Sequence, residues 1–269
     1  MSTEQSIAIL GLGWLGEPLG LSLHAQGWRV SGTTRAADKA ARLTEQGLTV
    51  VAMDVSEAVP AQWPVVLSAR TLLLCVPPGK VNDYARTLGV LAKKAVAGGV
   101  KRVIFTSATS VYSGSGVNTE QNAAPDGPRG ERMLAAERAV QGCGAEQVLI
   151  LRLSGLVGGN REPGRFLSGR HFDGGDEPVN LVAQEDLLRF IPAILARDDW
   201  PAVLNVSAPH HPSRHDFYRE AAQLQSLPPP IFSGGGKGKT IDGSAISRWL
   251  NMNYLVTDWF QWLSQRARR

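Results

Sequence analysis

The chain has 269 residues, of which 43% are hydrophobic, and it carries a formal net charge of +4. This length suits one large domain, or one domain with a small appendage. No stretch approaches the roughly 18 consecutive apolar residues that a membrane span needs, and the N-terminus lacks the basic segment of a secretory signal. The basic residues are dispersed, which argues against nucleic-acid binding. We therefore expect a cytoplasmic globular protein without a membrane or nucleic-acid partner.

The chain contains two cysteines, Cys75 and Cys143. Cys75 lies in an apolar pattern that is typical of a buried strand, so we expect no structural disulfide and a reducing compartment. The spacings of Cys and His match no metal-binding motif. We therefore expect neither a disulfide framework nor a metal site.

Strands and helices alternate through the first two-thirds of the chain. The apolar runs are nearly continuous, as expected for parallel strands that are covered on both faces. This pattern predicts an α/β fold built on a doubly wound parallel sheet, which binds ligands beyond the carboxyl ends of its strands. The predicted strands are 6–10, 29–33, 48–52, 71–76, 102–106 and 147–153, and the predicted helices are 14–26, 36–46, 82–97 and 131–141.

The first predicted strand runs directly into the sequence G-L-G-W-L-G. A predicted helix follows and a second strand lies at the right distance, which is the context of a dinucleotide-binding fingerprint. In that fingerprint Gly11 allows the tight turn, Gly13 the approach of a pyrophosphate, and Gly16 the close packing of helix on strand. The backbone N–H groups of Trp14 and Leu15 then face the phosphates. The alternative is an ordinary glycine-rich turn.

The second predicted strand ends in two neutral residues, Thr33 and Thr34, and Arg35 follows at once. A site that prefers NAD usually has Asp or Glu there, which holds the ribose 2′-hydroxyl and would repel a 2′-phosphate. Arg35 suits a phosphate, and both threonines can donate hydrogen bonds to it. One charge-assisted hydrogen bond is worth roughly 1.5–3 kcal/mol, or about a 10- to 100-fold preference. We predict NADP as the cofactor, with NAD possible; the alternative for Arg35 is a solvated surface residue.

The pattern loosens after Leu153. Residues 154–180 are rich in Gly, Arg and Pro and are predicted to form a functional loop, and 234–239 a flexible one. We predict a Rossmann-type dinucleotide-binding domain over 1–153, to which 181–206 returns, and a small C-terminal substrate-binding lobe built from 154–180 and 207–269. The later predicted elements are helices 185–196, 213–224, 242–250 and 258–268 and a strand at 203–206.

Four short segments, in this order along the chain, resemble those of the extended short-chain dehydrogenase/reductases, the NAD(P)-dependent epimerase/dehydratase group. Residues 103–112 resemble the family's Ser-Ser-x-x-Val-Tyr strand end, and 151–158 its Leu-Arg-x-x-x-x-x-Gly segment. Residues 180–186 are similar to its Asn-x-(Ile/Val)-His-x-x-Asp stretch, and 204–207 to its late Tyr-Asn-Val strand. The resemblance covers nearly the whole chain. The resemblance implies an NAD(P)-dependent oxidoreductase or epimerase.

The chain departs from this family where the family keeps its catalytic groups. The extended branch usually has T-G-x-x-G-x-x-G, whereas this chain has G-x-G-x-x-G. Alignment on Glu137 places Arg129 and Met133 at the Tyr and Lys of the family's Tyr-x-x-x-Lys pair. The family's catalytic Ser or Thr falls on Ala108. Arg stays protonated and cannot act as a base, and losing positioned acid/base catalysis costs roughly 10²- to 10⁴-fold.

The resemblance also places residues around the cofactor. It implies that Val76, Pro77 and Pro78 pass the ribose and pyrophosphate, for which the alternative is a rigid turn. It implies that Asp54 meets the adenine edge, for which the alternative is a helix N-cap or a turn residue. These four residues complete the predicted cofactor site.

The catalytic and substrate-binding candidates come from two other segments. Ser107 and Tyr112 lie near the expected nicotinamide and are the candidates for the missing acid/base pair, although a tyrosine in this motif usually packs. Arg161, Arg165 and Arg170 follow the sixth strand, and guanidinium groups suit a carboxylate or phosphate; the alternative is a solvated loop. The sequence thus predicts an atypical NADP(H)-dependent oxidoreductase or epimerase acting on a small anionic substrate, and a homodimer is possible. The alternative is a non-catalytic NADP(H)-binding redox sensor or scaffold.

Overall fold

The computed structural model describes residues 5–55, 66–79 and 81–268. The chain divides into two compact units. The first comprises Met1–Ala108, Gly127–Leu151 and Ile194–Val203, and the second comprises Thr109–Asp126, Arg152–Ala193 and Leu204–Arg269. Residues 109–126, 152–153, 181–193 and 204–206, which the sequence placed with the dinucleotide-binding domain, belong to the second unit. The predicted domain division itself stays a prediction.

The elements of the first unit follow the predicted order. They are β1 (Ser6–Leu10), α1 (Gly16–Ala25), β2 (Arg29–Thr34), α2 (Ala37–Glu45), β3 (Thr49–Ala52), β4 (Thr71–Leu74), α3 (Tyr84–Ala97), β5 (Arg102–Ala108) and α4 (Pro128–Gln141). Helix α1 begins two residues later than predicted, and strand β4 ends before the two prolines. Helix α4 begins earlier than predicted because Pro128 occupies its first turn, where a missing N–H costs nothing.

A seven-stranded sheet runs through the described residues in the order β3-β2-β1-β4-β5-β7-β11, where β7 is Gln147–Leu153 and β11 is Val203–Val206. The pairs β1–β2, β1–β4, β2–β3 and β4–β5 are parallel. Every residue of β1 and β4 is buried, as their apolar runs predict. The strand order reverses between β1 and β4, and a crevice forms at such a point. The predicted Rossmann-type α/β fold is confirmed.

The second unit is built from shorter elements. They are β6 (Gly116–Asn118), β8 (Gly155–Val157), α5 (Gly164–Leu167), β9 (His171–Asp173), β10 (Leu181–Ala183), α6 (Gln184–Leu195), α7 (Arg214–Leu224), β12 (Ile231–Ser233), β13 (Lys239–Ile241), α8 (Ser244–Leu250) and α9 (Trp259–Ala267). Its two-stranded sheets pair β8 with β10, β9 with β12 and β6 with β13, and each of these strands is only three residues long. The prediction of a loop over 154–180 is therefore wrong in part, because this segment contains β8, α5 and β9.

Two helices of the second unit begin at residues whose side chains cap the first turn. The Ser213 hydroxyl accepts a hydrogen bond from the Asp216 N–H at 3.0 Å, which starts α7. The Asp258 carboxylate accepts from the N–H groups of Phe260 and Gln261 at 2.8 and 3.1 Å, which starts α9. Within the described part of the chain, none of the helices has the length and apolar character needed to cross a bilayer.

Candidate dinucleotide-binding site

A cavity of about 420 Å³ lies within the first unit, at the carboxyl ends of β1, β2, β3 and β4. This is the edge at which a doubly wound sheet binds its ligand. Eight of the predicted cofactor residues line the cavity: Gly11, Gly13, Thr33, Thr34, Arg35, Asp54, Val76 and Pro77. Eight others were not predicted: Leu12, Ala36, Lys39, Met53, Val55, Cys75, Gly79 and Val81. The predicted residues Trp14, Leu15, Gly16 and Pro78 are not among those that line it.

The three fingerprint glycines occupy three different environments. Gly11 has φ +100°, in the left-handed region, and a Cβ there would lie 3.0 Å from the Cys75 carbonyl oxygen. A Cβ on Gly13 would meet no atom within 4 Å, so this exposed backbone can approach a phosphate closely. A Cβ on Gly16 would lie 2.3 Å from the Gly11 carbonyl oxygen, so glycine is required for close packing there. These environments fit a pyrophosphate cradle.

The end of β2 holds the glycine turn and carries neutral side chains into the cavity. The Thr33 hydroxyl is buried and accepts a hydrogen bond from the Gly11 N–H at 3.2 Å. The Leu12 N–H donates to the Thr33 carbonyl oxygen at 2.7 Å. Thr34 is half-buried and lines the same cavity. Thr33 therefore ties the glycine turn to β2, and Thr34 is the more accessible of the two hydroxyls.

Two cations line the cavity beyond β2. Arg35 is exposed, and Lys39 lies one turn further on, in α2. The Lys39 ammonium donates to the Leu12 carbonyl oxygen at 3.3 Å and pairs with the Glu17 carboxylate at 2.6 Å. Sequence reasoning missed Lys39. The available signal was its place in the first turn of the helix that directly follows β2 and Arg35.

The loop after β4 forms another wall and is held from two helices. The Tyr84 hydroxyl, on α3, donates to the Val76 carbonyl oxygen at 2.6 Å. Arg132, on α4, donates to the carbonyl oxygens of Pro78, at 3.1 Å, and Val81, and its guanidinium lies 5.3 Å from the centre of the Tyr84 ring. Because these bonds hold three carbonyl groups of the loop in place, this wall of the cavity has a fixed backbone conformation.

Cys75 and Asp54 also line the cavity. Burial raises the pKa of the Cys75 thiol to about 12, and a hydrogen bond with Thr106 opposes that shift. Cys75 is therefore a neutral thiol near pH 7. Asp54 follows β3 and lies beside Met53 and Val55 in the wall. It is the carboxylate among the described lining residues.

Ser107, a candidate for acid/base chemistry, lies at the end of β5 in the first unit. Its hydroxyl donates to the Glu137 carboxylate at 2.5 Å, and both residues are buried. Met133, at the family's lysine position, is also buried, whereas Arg129, at its tyrosine position, is exposed. The hydroxyl proton of Ser107 is thus committed to a carboxylate, and its catalytic role stays a prediction.

Tyr112, the second candidate, belongs to the second unit and is fully buried. Its hydroxyl donates to the Asn205 side-chain oxygen at 2.6 Å and accepts from the Arg152 guanidinium at 2.8 Å. Burial raises the pKa of Tyr112, against the opposing effect of Arg152. The Lys239 ammonium, from β13, donates to the carbonyl oxygens of Tyr112 and, at 3.1 Å, Thr109. This network holds Tyr112 as a protonated phenol, and its catalytic role stays a prediction.

The three predicted substrate-binding arginines have separate surroundings. Arg165 lines a cavity of about 360 Å³ among α5, α7 and α9, which Arg161 and Arg170 do not line. The Arg170 guanidinium donates to the Phe166 carbonyl oxygen and lies 5.2 Å from the centre of the Phe172 ring. Arg161 is exposed as a residue, and the partial desolvation of its guanidinium lowers its pKa. Of the three, Arg165 is therefore the one that lines this cavity.

A larger cavity, of about 520 Å³, lies within the second unit and was not predicted. Its wall includes His211, Asp242, Tyr254 and several hydroxyl side chains. His211 Nδ1 lies 3.1 Å from the Val179 carbonyl oxygen, which makes Nδ1 the donor, and burial lowers the pKa of His211. A hydrogen bond with Ser244 lowers the pKa of Asp242. Near pH 7 this wall therefore carries a neutral imidazole and a carboxylate. Among the described residues, no group of three or more His, Cys, Asp or Glu is placed to hold a metal ion.

Known proteins bear out this assignment of the first unit. A family model described as the NAD binding domain of 6-phosphogluconate dehydrogenase matches residues 6–120. Solved structures with the same fold include MoeE5 in complex with UDP-glucuronic acid and NAD, with a TM-score of 0.81 and 23% identity over 98% of both chains. They also include UDP-glucuronic acid 4-epimerase from Bacillus cereus in complex with NAD, with a TM-score of 0.77 and 16% identity over 98% of this chain and 96% of that one.

The fold and cavity thus define a Rossmann protein whose residues 6–120 match an NAD-binding domain and whose fold is shared with an epimerase, as the sequence resemblance predicted. Protein YeeZ of Escherichia coli (strain K12) is 36% identical over 267 residues, which cover 94% of this chain and 97% of YeeZ. Protein YeeZ of Escherichia coli O157:H7 matches to the same extent. The chain belongs to the YeeZ family.

Proposed function

We propose that the protein binds NADP(H) in the cavity of the first unit and transfers hydride between that cofactor and a small anionic substrate. The observation that carries the proposal is that two cations, Arg35 and Lys39, both line the cavity wall beyond β2, as does Thr34. Two cations and a neutral hydroxyl suit a dianionic 2′-phosphate, whereas a 2′-hydroxyl has no need of them.

The glycine turn supplies the second part of the argument. The open space in front of Gly13 lets a pyrophosphate approach the backbone N–H groups at the start of α1. The proposed cofactor residues are those of the turn, the β2 end and the β4 loop: Gly11, Gly13, Trp14, Leu15, Gly16, Thr33, Thr34, Arg35, Asp54, Val76, Pro77 and Pro78. A bound nicotinamide supplies the hydride chemistry, and the protein supplies position and charge.

Proton transfer in this reaction falls to groups other than the family's Tyr-x-x-x-Lys pair. The raised pKa of Tyr112 makes its phenol a hydrogen-bond donor and a poor base near pH 7. The Ser107 hydroxyl already donates to the Glu137 carboxylate, so removing the Ser107 proton would place two negative charges side by side. We therefore keep Ser107 and Tyr112 as candidate proton donors and propose that the reaction depends mainly on positioning and hydride geometry.

An anionic substrate is supported by the basic side chains of the second unit. Arg165 shares its cavity with Arg266, although Arg266 is already paired with Glu162 and Glu185. Arg161 and Arg170 are exposed on the same segment of chain. The complex of MoeE5 with UDP-glucuronic acid makes that sugar nucleotide the first substrate to try.

A second function, NADP(H) binding without turnover as a redox sensor or scaffold, is favoured by one specific observation. The family's lysine position is filled by the buried Met133, and the hydroxyls of Ser107 and Tyr112 are both engaged by buried partners. Nucleotide binding would persist in such a protein, and hydride transfer would be absent. The two functions separate on turnover alone.

The test begins with nucleotide binding. The wild-type protein is titrated with NADP+, NADPH and NAD+, with tighter binding of the phosphorylated pair expected. Arg35→Met should lose about 10- to 100-fold in NADP+ affinity, whereas Arg86→Met, an exposed control outside the cavity, should lose none. NADPH oxidation is then measured with UDP-glucuronic acid, aldehydes and keto acids. Absence of nucleotide binding refutes both functions, and tight binding without turnover selects the sensor.

A further inference from the structure

Glu17 is a carboxylate placed between the cofactor cavity and the protein surface. It follows Gly16 directly, in the first turn of α1, and its side chain is 22% exposed. One carboxylate oxygen lies 2.6 Å from the Lys39 ammonium, and the other lies 2.6 Å from the Arg42 guanidinium. Both cations come from α2, one turn apart. A single negative charge is therefore shared by two positive charges.

The two cations differ in their relation to the cavity. Lys39 lines it and also donates to the Leu12 carbonyl oxygen in the glycine turn. Arg42 is not among the residues that line the cavity, and its side chain is 47% exposed. Arg42 also donates to the Gln46 side chain at 3.3 Å. Glu17 thus links a cation that faces the ligand to one that faces solvent.

We propose that Glu17 sets the discrimination between NADP and NAD by competing with the 2′-phosphate for Lys39. When the 2′-phosphate enters, the Lys39 ammonium exchanges the carboxylate for the phosphate, and Arg42 remains to neutralise Glu17. This inference rests on the proposed binding of NADP(H). It makes Glu17 a negative determinant and Arg42 a remote positive determinant of NADP affinity, and neither residue acts on the NAD complex.

The charge state of Glu17 is consistent with that exchange. Burial raises the pKa of Glu17, but hydrogen bonds from Lys39 and Arg42 outweigh burial, and the net pKa lies below the ordinary value. The carboxylate therefore stays ionised at neutral pH with either partner. A partly exposed ion pair is worth up to about 1 kcal/mol, which corresponds to roughly fivefold in affinity. The competition is thus strong enough to measure and weak enough for a dianionic phosphate to win.

The experiment measures the dissociation constants of NADP+ and NAD+ for the full chain and four variants. Lys39→Met should weaken NADP+ binding about tenfold or more and NAD+ binding by a smaller factor, because the bond to the Leu12 carbonyl oxygen is lost for both nucleotides. Glu17→Gln should tighten NADP+ binding about two- to fivefold, without effect on NAD+. Arg42→Met should weaken NADP+ binding about two- to fivefold, because Glu17 then holds Lys39 alone.

The double variant Glu17→Gln/Arg42→Met separates the exchange from general electrostatics. If Arg42 acts through Glu17, its effect disappears in the Glu17→Gln background; a long-range charge effect would persist there. Urea unfolding of each variant checks that the fold is retained. Weaker NADP+ binding by Glu17→Gln, or an undiminished Arg42 effect in the double variant, overturns the inference while NADP binding stands. Absence of NADP+ binding by the wild type overturns the proposed function and the inference together.

Discussion

The cavities of the two units differ in the chemistry of their walls. Among its described lining residues, the first has Arg35, Lys39 and exposed glycine backbone against one carboxylate, Asp54. The second is larger, and its charged group is the Asp242 carboxylate, beside the neutral imidazole of His211. Backbone N–H groups and cations suit phosphates, whereas a carboxylate with an acceptor imidazole repels them.

This contrast favours the first cavity over the larger one as a phosphate-binding site. The arginines from which the sequence predicted an anionic substrate do not line the larger cavity. Of these, Arg165 lines a separate cavity. A small anionic substrate therefore has to find its positive charge away from His211 and Asp242.

The glycine turn separates a packing role from a binding role in the first cavity. Gly16→Ala places a Cβ against the Gly11 carbonyl oxygen, and we expect a loss of about 2–3 kcal/mol in the free energy of unfolding. Gly13→Ala meets open space and should change stability by less than about 0.5 kcal/mol, while weakening NADP+ binding at least about tenfold. Urea unfolding and nucleotide titration measure both. Equal NADP+ affinity in Gly13→Ala and wild type would contradict the cradle.

Tyr112 is the corresponding test in the second unit. Tyr112→Phe removes a hydroxyl that bonds both Asn205 and Arg152, and leaving these buried groups short of a partner should cost about 1–3 kcal/mol in the free energy of unfolding. NADP+ affinity should stay unchanged. A variant of full stability that loses only turnover would instead establish Tyr112 as a catalytic residue.

Arg132 tests whether the β4 loop is a preformed wall of the first cavity. Arg132→Met removes the hydrogen bonds to the carbonyl oxygens of Pro78 and Val81, and we expect NADP+ and NAD+ to lose affinity equally, about 3- to 10-fold. Arg138→Met, on an exposed position of the same helix, is the control. An effect confined to NADP+ would mean that Arg132 acts on the 2′-phosphate and not on the loop.

Asp186 gives the smallest expected effect, a change in pH dependence. It is fully buried in the second unit, its carboxylate accepts from the Leu255 N–H at 2.6 Å, and burial raises its pKa. The folded protein therefore binds more protons than the unfolded chain above the ordinary pKa of Asp, so stability falls as pH rises through that window. Asp186→Asn should remove this decline, as measured by urea unfolding between pH 4 and 7. A constant difference between the two proteins across that range would disprove it.

The sequence was most informative where a residue's neighbours along the chain decide its environment. The bounds of β1, β7 and β11 match the prediction to the residue, since apolar residues dominate each strand. Gly11, Gly13 and Gly16 act within one turn, so their spacing alone indicates the fingerprint.

The remainder depends on contacts between distant segments. Lys39 lines the cavity because of the direction in which α2 leaves β2, and Arg132 reaches the β4 loop across more than 50 residues of sequence. The three-residue strands of the second unit pair with partners far along the chain, for example β6 with β13. No short periodic pattern encodes such pairings, so a loop was predicted at 154–180.

The loop after β4 has a consequence for how fast a nucleotide binds. Pro77 and Pro78 restrict its backbone, and Tyr84 and Arg132 anchor three of its carbonyl groups. Little conformational entropy remains to be lost when a ligand reaches this wall. Association should then follow a single second-order step with a rate proportional to nucleotide concentration, without the plateau that a slow loop closure imposes.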